Sequence, residues 1–259
     1  MAKVLAIANQ KGGVGKTTTS VNLAASLVSV KRKVLVIDMD TQGNATTGLG
    51  LDKHNPPISL SDVLLETADI EDALQKAVDI NIDVLSGGAD LTVAELSLIN
   101  EDRREFRLRA VLAPLRDQYD YILIDCPPSL NILTVNSLVA ADGVIVPMQC
   151  EYYALEGLSA LITSINMIKE DVNKSLEITG ILRTMYDSRN NLSRDVSQQL
   201  TEHFGDTVFA TSIPRNVRLA EAPSHGQPVL SYDKRSSGAL AYLALAAEMI
   251  RKETSQTVS

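Results

Sequence analysis

The chain has 259 residues, of which 45% are hydrophobic, so it is long enough to bury a sizeable core in one large domain. No apolar run reaches the roughly 20 residues that span a bilayer, and the first strand passes into a glycine loop rather than a cleavage site, so the sequence predicts a soluble cytoplasmic protein. A formal net charge of −8 argues against a broad nucleic-acid surface and leaves room only for a local basic patch.

Val4 to Ala8 is a short apolar stretch, and from Thr17 to Val30 the residues Val21, Ala24, Ala25 and Val28 share one helical face. Strand, glycine loop and helix therefore follow one another. A second apolar strand, Val34 to Asp38, ends in acid, the order of a parallel unit with a crossover helix. Thr41 to Asn55 reads as polar loop, and Pro56-Pro57 precedes short helices between Leu60 and Lys76. A strand is predicted at Ile82 to Leu85, then a long helical stretch from the Ser86-Gly87-Gly88 turn to about Asp117.

Tyr121 to Asp125 is the next buried strand, stopped by Cys126-Pro127-Pro128. Helix over Asn131 to Ala141, strand over Gly143 to Pro147 and an amphipathic helix over Ala154 to Ile168 follow. The last elements are a strand at Ile178 to Thr184, a polar loop from Tyr186 to Ser193, a helix to Phe204, a strand at Val208 to Ile213 and a closing helix over Ser236 to Lys252. This alternation predicts an α/β fold, a single doubly wound domain over residues 1–259 with a mostly parallel sheet. Its pocket belongs beyond the carboxyl ends of the strands.

Lys11-Gly12-Gly13-Val14-Gly15-Lys16-Thr17-Thr18 sits between the first strand and helix. Glycines permit the tight turn that aims successive backbone N–H groups at phosphate, and the helix N-terminus completes the cradle. Lys16 is placed to reach the β and γ phosphates, Thr17 to offer a hydroxyl to Mg²⁺, and Thr18 to meet the α phosphate. The usual pattern has a glycine where Gln10 stands; here Lys11 is added instead. From the residues alone, Lys11 is either a surface lysine or a group that stabilises charge on nucleotide held by a facing subunit.

Asp38 and Asp40 follow a buried strand at alternating positions, so their carboxylates are expected to share a polar crevice, one orienting water and the other serving the Mg²⁺ shell. Asp125 ends a hydrophobic strand, the position from which a carboxylate reaches bound Mg²⁺, often through water. Cys126 and Cys150 read as free structural thiols, and His54, His203 and His225 form no ligand-spaced pair. A dinucleotide oxidoreductase has no use for Gly15-Lys16-Thr17-Thr18.

Together KGGVGKTT, DMDTQGNAT, LIDCPPSL, TMYDSRNNLS and IPRNVRLAEAPSHGQPVLSYD resemble the ParA/Soj partition proteins of the deviant Walker ATPases over nearly the whole chain. The resemblance implies one AAA-type, CbiA-like ATPase domain that uses ATP and Mg²⁺ and forms a homodimer with ATP. It makes Lys16 the Walker lysine, Lys11 the signature lysine reaching across the dimer, and Gly12 the point of close backbone approach. Thr17 becomes the Mg²⁺ ligand, Asp40 the residue positioning water, Asp125 the Walker B acid, and Asp38 the other acid of the switch region.

The resemblance further implies nonspecific double-stranded DNA as a partner, contacted by Arg189 and Arg218, with Arg215, Lys234 and Arg235 enlarging the patch. Met185, Pro214 and Asn216 are implied around adenine, and a ParB/Spo0J-type protein as the stimulating partner in chromosome or plasmid segregation at the nucleoid. The first strand begins near Met1, so no appended DNA-reading domain is expected. The alternative is a MinD-like membrane ATPase, which needs a basic amphipathic end; the polar run Arg251 to Ser259 lacks one, so no membrane contact is expected.

Overall fold

A computed structural model of the chain describes residues 1–77, 80–152 and 154–258, the last three by their backbone only. Ser259, the end of the polar tail, lies outside them.

In chain order the elements are β1 (Lys3–Ile7), α1 (Lys16–Ser29), β2 (Val34–Asp38), α2 (Asn44–Gly48), α3 (Leu60–Leu64), α4 (Ile70–Ala73), β3 (Leu74–Ala77) and β4 (Ile82–Leu85). Then come α5 (Leu91–Leu98), α6 (Arg107–Leu112), β5 (Tyr121–Asp125), α7 (Ile132–Ala140), β6 (Gly143–Gln149), α8 (Ala154–Asp171) and β7 (Glu177–Tyr186). The chain continues through α9 (Asn191–Phe204), β8 (Val208–Pro214), α10 (Val217–Glu221), α11 (Val229–Tyr232) and α12 (Ser237–Val258).

The strands form an eight-stranded sheet in the order β3-β4-β2-β5-β1-β6-β7-β8, parallel throughout except for the β3–β4 pair. Pleating sends alternate residues of β1 to opposite layers: Val4 and Ala6 pack with Leu133 and Leu138 of α7, whereas Leu5 and Ile7 pack with Leu23 and Leu27 of α1 and Tyr242 and Leu245 of α12. Burial on both faces is why β1, β2 and β5 read as continuous apolar runs.

Four segments depart from the sequence expectation. The helix expected up to Asp117 is broken: α5 stops at Leu98, Arg103 takes a left-handed φ of 52°, and Pro114, which has no N–H, sits in a 3₁₀ turn after α6. β3 replaces the end of the expected helical segment, because four residues paired antiparallel to β4 at a sheet edge carry no periodic signal. α2 forms inside the expected polar loop, and α10 and α11 fold between β8 and α12; each spans only four or five residues. No helix among the described residues is long and apolar enough to cross a membrane.

Candidate nucleotide-binding site

The strand order brings the ends of β2, β5 and β1 together, pairing Asp38 with Asp125 and Asp125 with Ile7 in register. Residues 8–15 leave β1 at this edge and fold into a loop held from several directions. Asn9 accepts from the Lys11 amide (3.0 Å) and donates to the Pro147 carbonyl (2.8 Å), while Gln149 donates to the Gly13 carbonyl (3.0 Å) and Thr184 to that of Val14 (2.7 Å). Gly13 and Gly15 have φ of 72° and 89°, which a side chain would strain. Gly15 then opens the 14-residue α1 with no side-chain cap and no acid in its first turn, so the first amides point at the loop as donors for an anion.

Lys16 is 7% exposed and donates from Nζ to the Lys11 carbonyl at 3.2 Å, which folds its ammonium into the loop. Burial lowers its pKa, and the nearby Asp125 opposes that shift. The Lys11 side chain takes a different course: half exposed, it pairs with Glu151 at 2.6 Å. An alanine methyl at Gly12 would meet nothing within 4 Å, so the chain itself leaves that position open.

Asp125 is fully buried. Its Oδ1 accepts from Ser20 Oγ at 2.8 Å, and its Oδ2 has no protein partner. Burial first, then the neighbouring Asp38, push its carboxyl above the usual range, while the Thr17 and Ser20 hydroxyls act against the shift. An oxygen orphaned at a phosphate cradle, beside a threonine hydroxyl, suits a hard cation that takes its other ligands from phosphate and water. Among the described residues there is no cluster of three or more His, Cys, Asp or Glu that could hold a metal ion.

Asp38 and Asp40 separate in role. Asp38 is buried with both oxygens occupied: Oδ2 accepts from the Thr46 amide and hydroxyl, each at 2.8 Å, and Oδ1 from the Asp40 amide at 3.2 Å. Its carboxylate thus organises the turn into α2. Asp40 accepts from the Gln42 amide at 3.0 Å and stays 8% exposed. Thr46→Val keeps the shape but removes the bond to Asp38 and the acceptor of the buried Gly87 amide. It is expected to cost about 1–3 kcal/mol, read as a lower urea midpoint at constant slope. An unchanged midpoint would count against this hydroxyl.

Met185, Pro214 and Asn216, with Gly15, Thr18 and Thr184, line a mainly apolar cavity of about 170 Å³ next to the loop. Asn216 has both ends engaged, Oδ1 capping α10 at the Leu219 amide (3.3 Å) and Nδ2 donating to Ser237 Oγ (2.8 Å). Of the basic residues, Arg189 is 89% exposed and bonds Asp187 through Nε (3.0 Å) and Nη2 (2.9 Å), holding that carboxyl at about 2. Arg218 pairs with Glu221 (2.7 Å) and Asp233 (3.4 Å), whereas Arg215, Lys234 and Arg235 are exposed. Cys126 and Cys150 are free and buried.

Ser20, Thr46, Glu151 and Thr184 escaped the sequence reading. Ser20 had a signal, lying one turn after Lys16 on the buried side of α1. Thr184 and Glu151 reach the loop from 170 and 140 residues away, which no local pattern reports.

Residues 2–178 match the AAA domain family. Chromosome partitioning protein ParA of Myxococcus xanthus is 49% identical, with 98% of this chain and 90% of that protein covered. The chain belongs to the ParA/Soj/MinD family of deviant Walker ATPases. The sporulation initiation inhibitor protein Soj of Bacillus subtilis is also 49% identical, over 96% of this chain and 98% of its own. Among solved structures, cobyrinic acid a,c-diamide synthase of Mycobacterium smegmatis with bound ADP and magnesium superposes with a TM-score of 0.87 at 38% identity, covering 99% and 97% of the two chains. As a deviant Walker ATPase the chain is a P-loop enzyme of mixed sheet and flanking helices, and the loop departs from the ordinary pattern at its entrance, where Gln10 stands in place of glycine and Lys11 follows it.

Proposed function

We propose that this chain is an ATP-dependent, dimerising DNA-binding ATPase that converts ATP to ADP and phosphate and serves chromosome or plasmid segregation. The observation that carries the reading is the uncapped α1 N-terminus, flanked by buried Lys16 and by the orphaned oxygen of Asp125. Two curated relatives covering nearly all of the chain, named for chromosome partitioning and for Soj, support the cellular role. The M. smegmatis protein, with ADP and magnesium, supports the choice of nucleotide and ion.

In this reading the amides of residues 12–18 receive the phosphates, Lys16 balances their charge, and the cavity of Met185, Pro214 and Asn216 takes adenine. Thr17 and Asp125 would hold Mg²⁺, directly or through water, and the ion would neutralise charge between the terminal phosphates. Asp40 orients the attacking water, while Asp38 sets the turn that carries Asp40. Lys11 leaves Glu151 to reach nucleotide in the second subunit, so turnover depends on association. The ATP dimer binds nonspecific double-stranded DNA at the nucleoid through Arg189 and Arg218, aided by Arg215, Lys234 and Arg235. A ParB/Spo0J-type protein stimulates hydrolysis and releases it.

Gly12 provides a test that separates folding from association. A Cβ at Gly12 meets nothing within 4 Å of its own chain, so Gly12→Val is expected to melt within a few degrees of wild type and to bind ATP analogue as a monomer. Light scattering with ATP analogue and Mg²⁺ should show wild type as a dimer and the variant as a monomer. A variant that dimerises normally would contradict the close approach at this glycine.

A further inference from the structure

Ser20 lies one turn after Lys16 in α1 and is fully buried. A serine inside a helix ordinarily satisfies its hydroxyl on the carbonyl four residues back. Ser26, buried in the same helix, does so, donating to the Asn22 carbonyl at 2.8 Å. Ser20 behaves differently. Its Oγ stands 3.1 Å from the Lys16 carbonyl but 2.8 Å from Oδ1 of Asp125, a residue 105 positions away. A hydroxyl carries one proton, and the shorter contact gives it to Asp125. The back-bond alone does not call for serine at this position, since alanine has the higher helix propensity and buries no polar group.

The Asp125 backbone is fixed by pairing with β1 and β2, yet the last side-chain bond of an aspartate turns easily and makes its two oxygens interchangeable. Ser20 on Oδ1 removes that freedom. Oδ2, with no hydrogen-bond partner among the described residues, is left as the oxygen open to an ion. Thr17, three residues before Ser20 and so on the same side of α1, carries the hydroxyl assigned to that ion above.

We infer that Ser20 is a positioning residue for the magnesium ion: its hydroxyl clamps Asp125 so that Oδ2 is presented to the ion or to ion-bound water. The inference rests on the reading of Asp125 as an ion-holding acid and deepens it. Ser20 has no exposed surface, so it acts through Asp125. Its contact with the Lys16 carbonyl also keeps the acid in register with the turn that carries the phosphate-binding lysine. Removing the hydrogen-bond partner of a metal-holding carboxylate typically costs about ten- to a hundredfold in metal affinity.

The test titrates full-length protein, carrying one equivalent of ADP, with Mn²⁺ as the probe ion, and counts free Mn²⁺ by electron paramagnetic resonance. ADP affinity is measured separately in EDTA, which reports the phosphate loop without the ion. Ser20→Ala is expected to weaken Mn²⁺ binding about tenfold or more while its ADP affinity in EDTA matches wild type. Ser26→Ala, which removes an ordinary back-bond from the same helix, should leave both affinities unchanged. Wild-type Mn²⁺ affinity in Ser20→Ala would overturn the positioning role. An equal loss of ADP affinity in EDTA would overturn it too, by placing the effect in the phosphate loop. Asp125→Asn tests the underlying reading on its own: it should lose at least as much Mn²⁺ affinity as Ser20→Ala, and wild-type affinity there would sink the ion-holding acid whatever Ser20→Ala shows.

Discussion

Lys16→Ala is expected to lower ATP turnover by roughly two to three orders of magnitude, the usual cost of removing one preorganised charge from a developing anion. The side chain is 7% exposed and held over the loop by its bond to the Lys11 carbonyl, so its ammonium is positioned before substrate arrives. Preorganisation of this kind carries a folding cost. Burial depresses the Lys16 pKa, which means the folded loop opposes the charge that catalysis needs. The variant should accordingly melt close to wild type or slightly above it, while nucleotide affinity and turnover both collapse. Steady-state phosphate release and thermal melting on the same preparation check this; a variant that loses activity in proportion to lost folded protein would mark Lys16 as structural.

Asp40→Ala is expected to separate binding from hydrolysis. Removing a group proposed to orient water is expected to cost roughly a hundredfold or more in turnover, whereas among the described residues the Asp40 carboxylate accepts one hydrogen bond in the turn, from the Gln42 amide. ATP binding, dimerisation and DNA retention should persist, and the DNA complex should last longer because its exit by hydrolysis is blocked. Asp38 is the useful contrast. Thr46 and the Asp40 amide occupy both of its oxygens, so Asp38→Ala should instead destabilise the α2 turn and impair every activity together. Single-turnover hydrolysis beside DNA dissociation rates distinguishes the two acids. Rapid DNA release by Asp40→Ala with ATP bound would contradict the assignment.

Much of this site is legible in the amino-acid sequence. The β1 loop, α1 and the acids ending β2 and β5 each follow from a local pattern: glycines where positive φ is needed, and apolar runs stopped by a carboxylate. Local patterns also placed the long buried strands, since burial on both faces leaves a continuous apolar signature. The pattern fails where structure depends on partners distant in sequence. β3 exists because β4 offers an edge, and the division of labour between Asp38 and Asp40 depends on where Thr46 returns to the sheet. Alternation placed two carboxylates with different tasks in one crevice; the hydrogen bonds make Asp38 an organiser of the turn, with both oxygens taken, and give the Asp40 carboxylate the Gln42 amide. The ion pairs of Lys11 with Glu151 and of Arg218 with Glu221 and Asp233 likewise needed the fold.

The measurement that tests the central claim most directly is co-sedimentation with duplex DNA at fixed low salt, comparing wild type and Lys16→Ala with ATP, with ADP and without nucleotide. The account predicts retention of wild type with ATP alone and none of the variant in any state; equal retention of wild type in all three conditions, or none with ATP despite measurable hydrolysis, would contradict it.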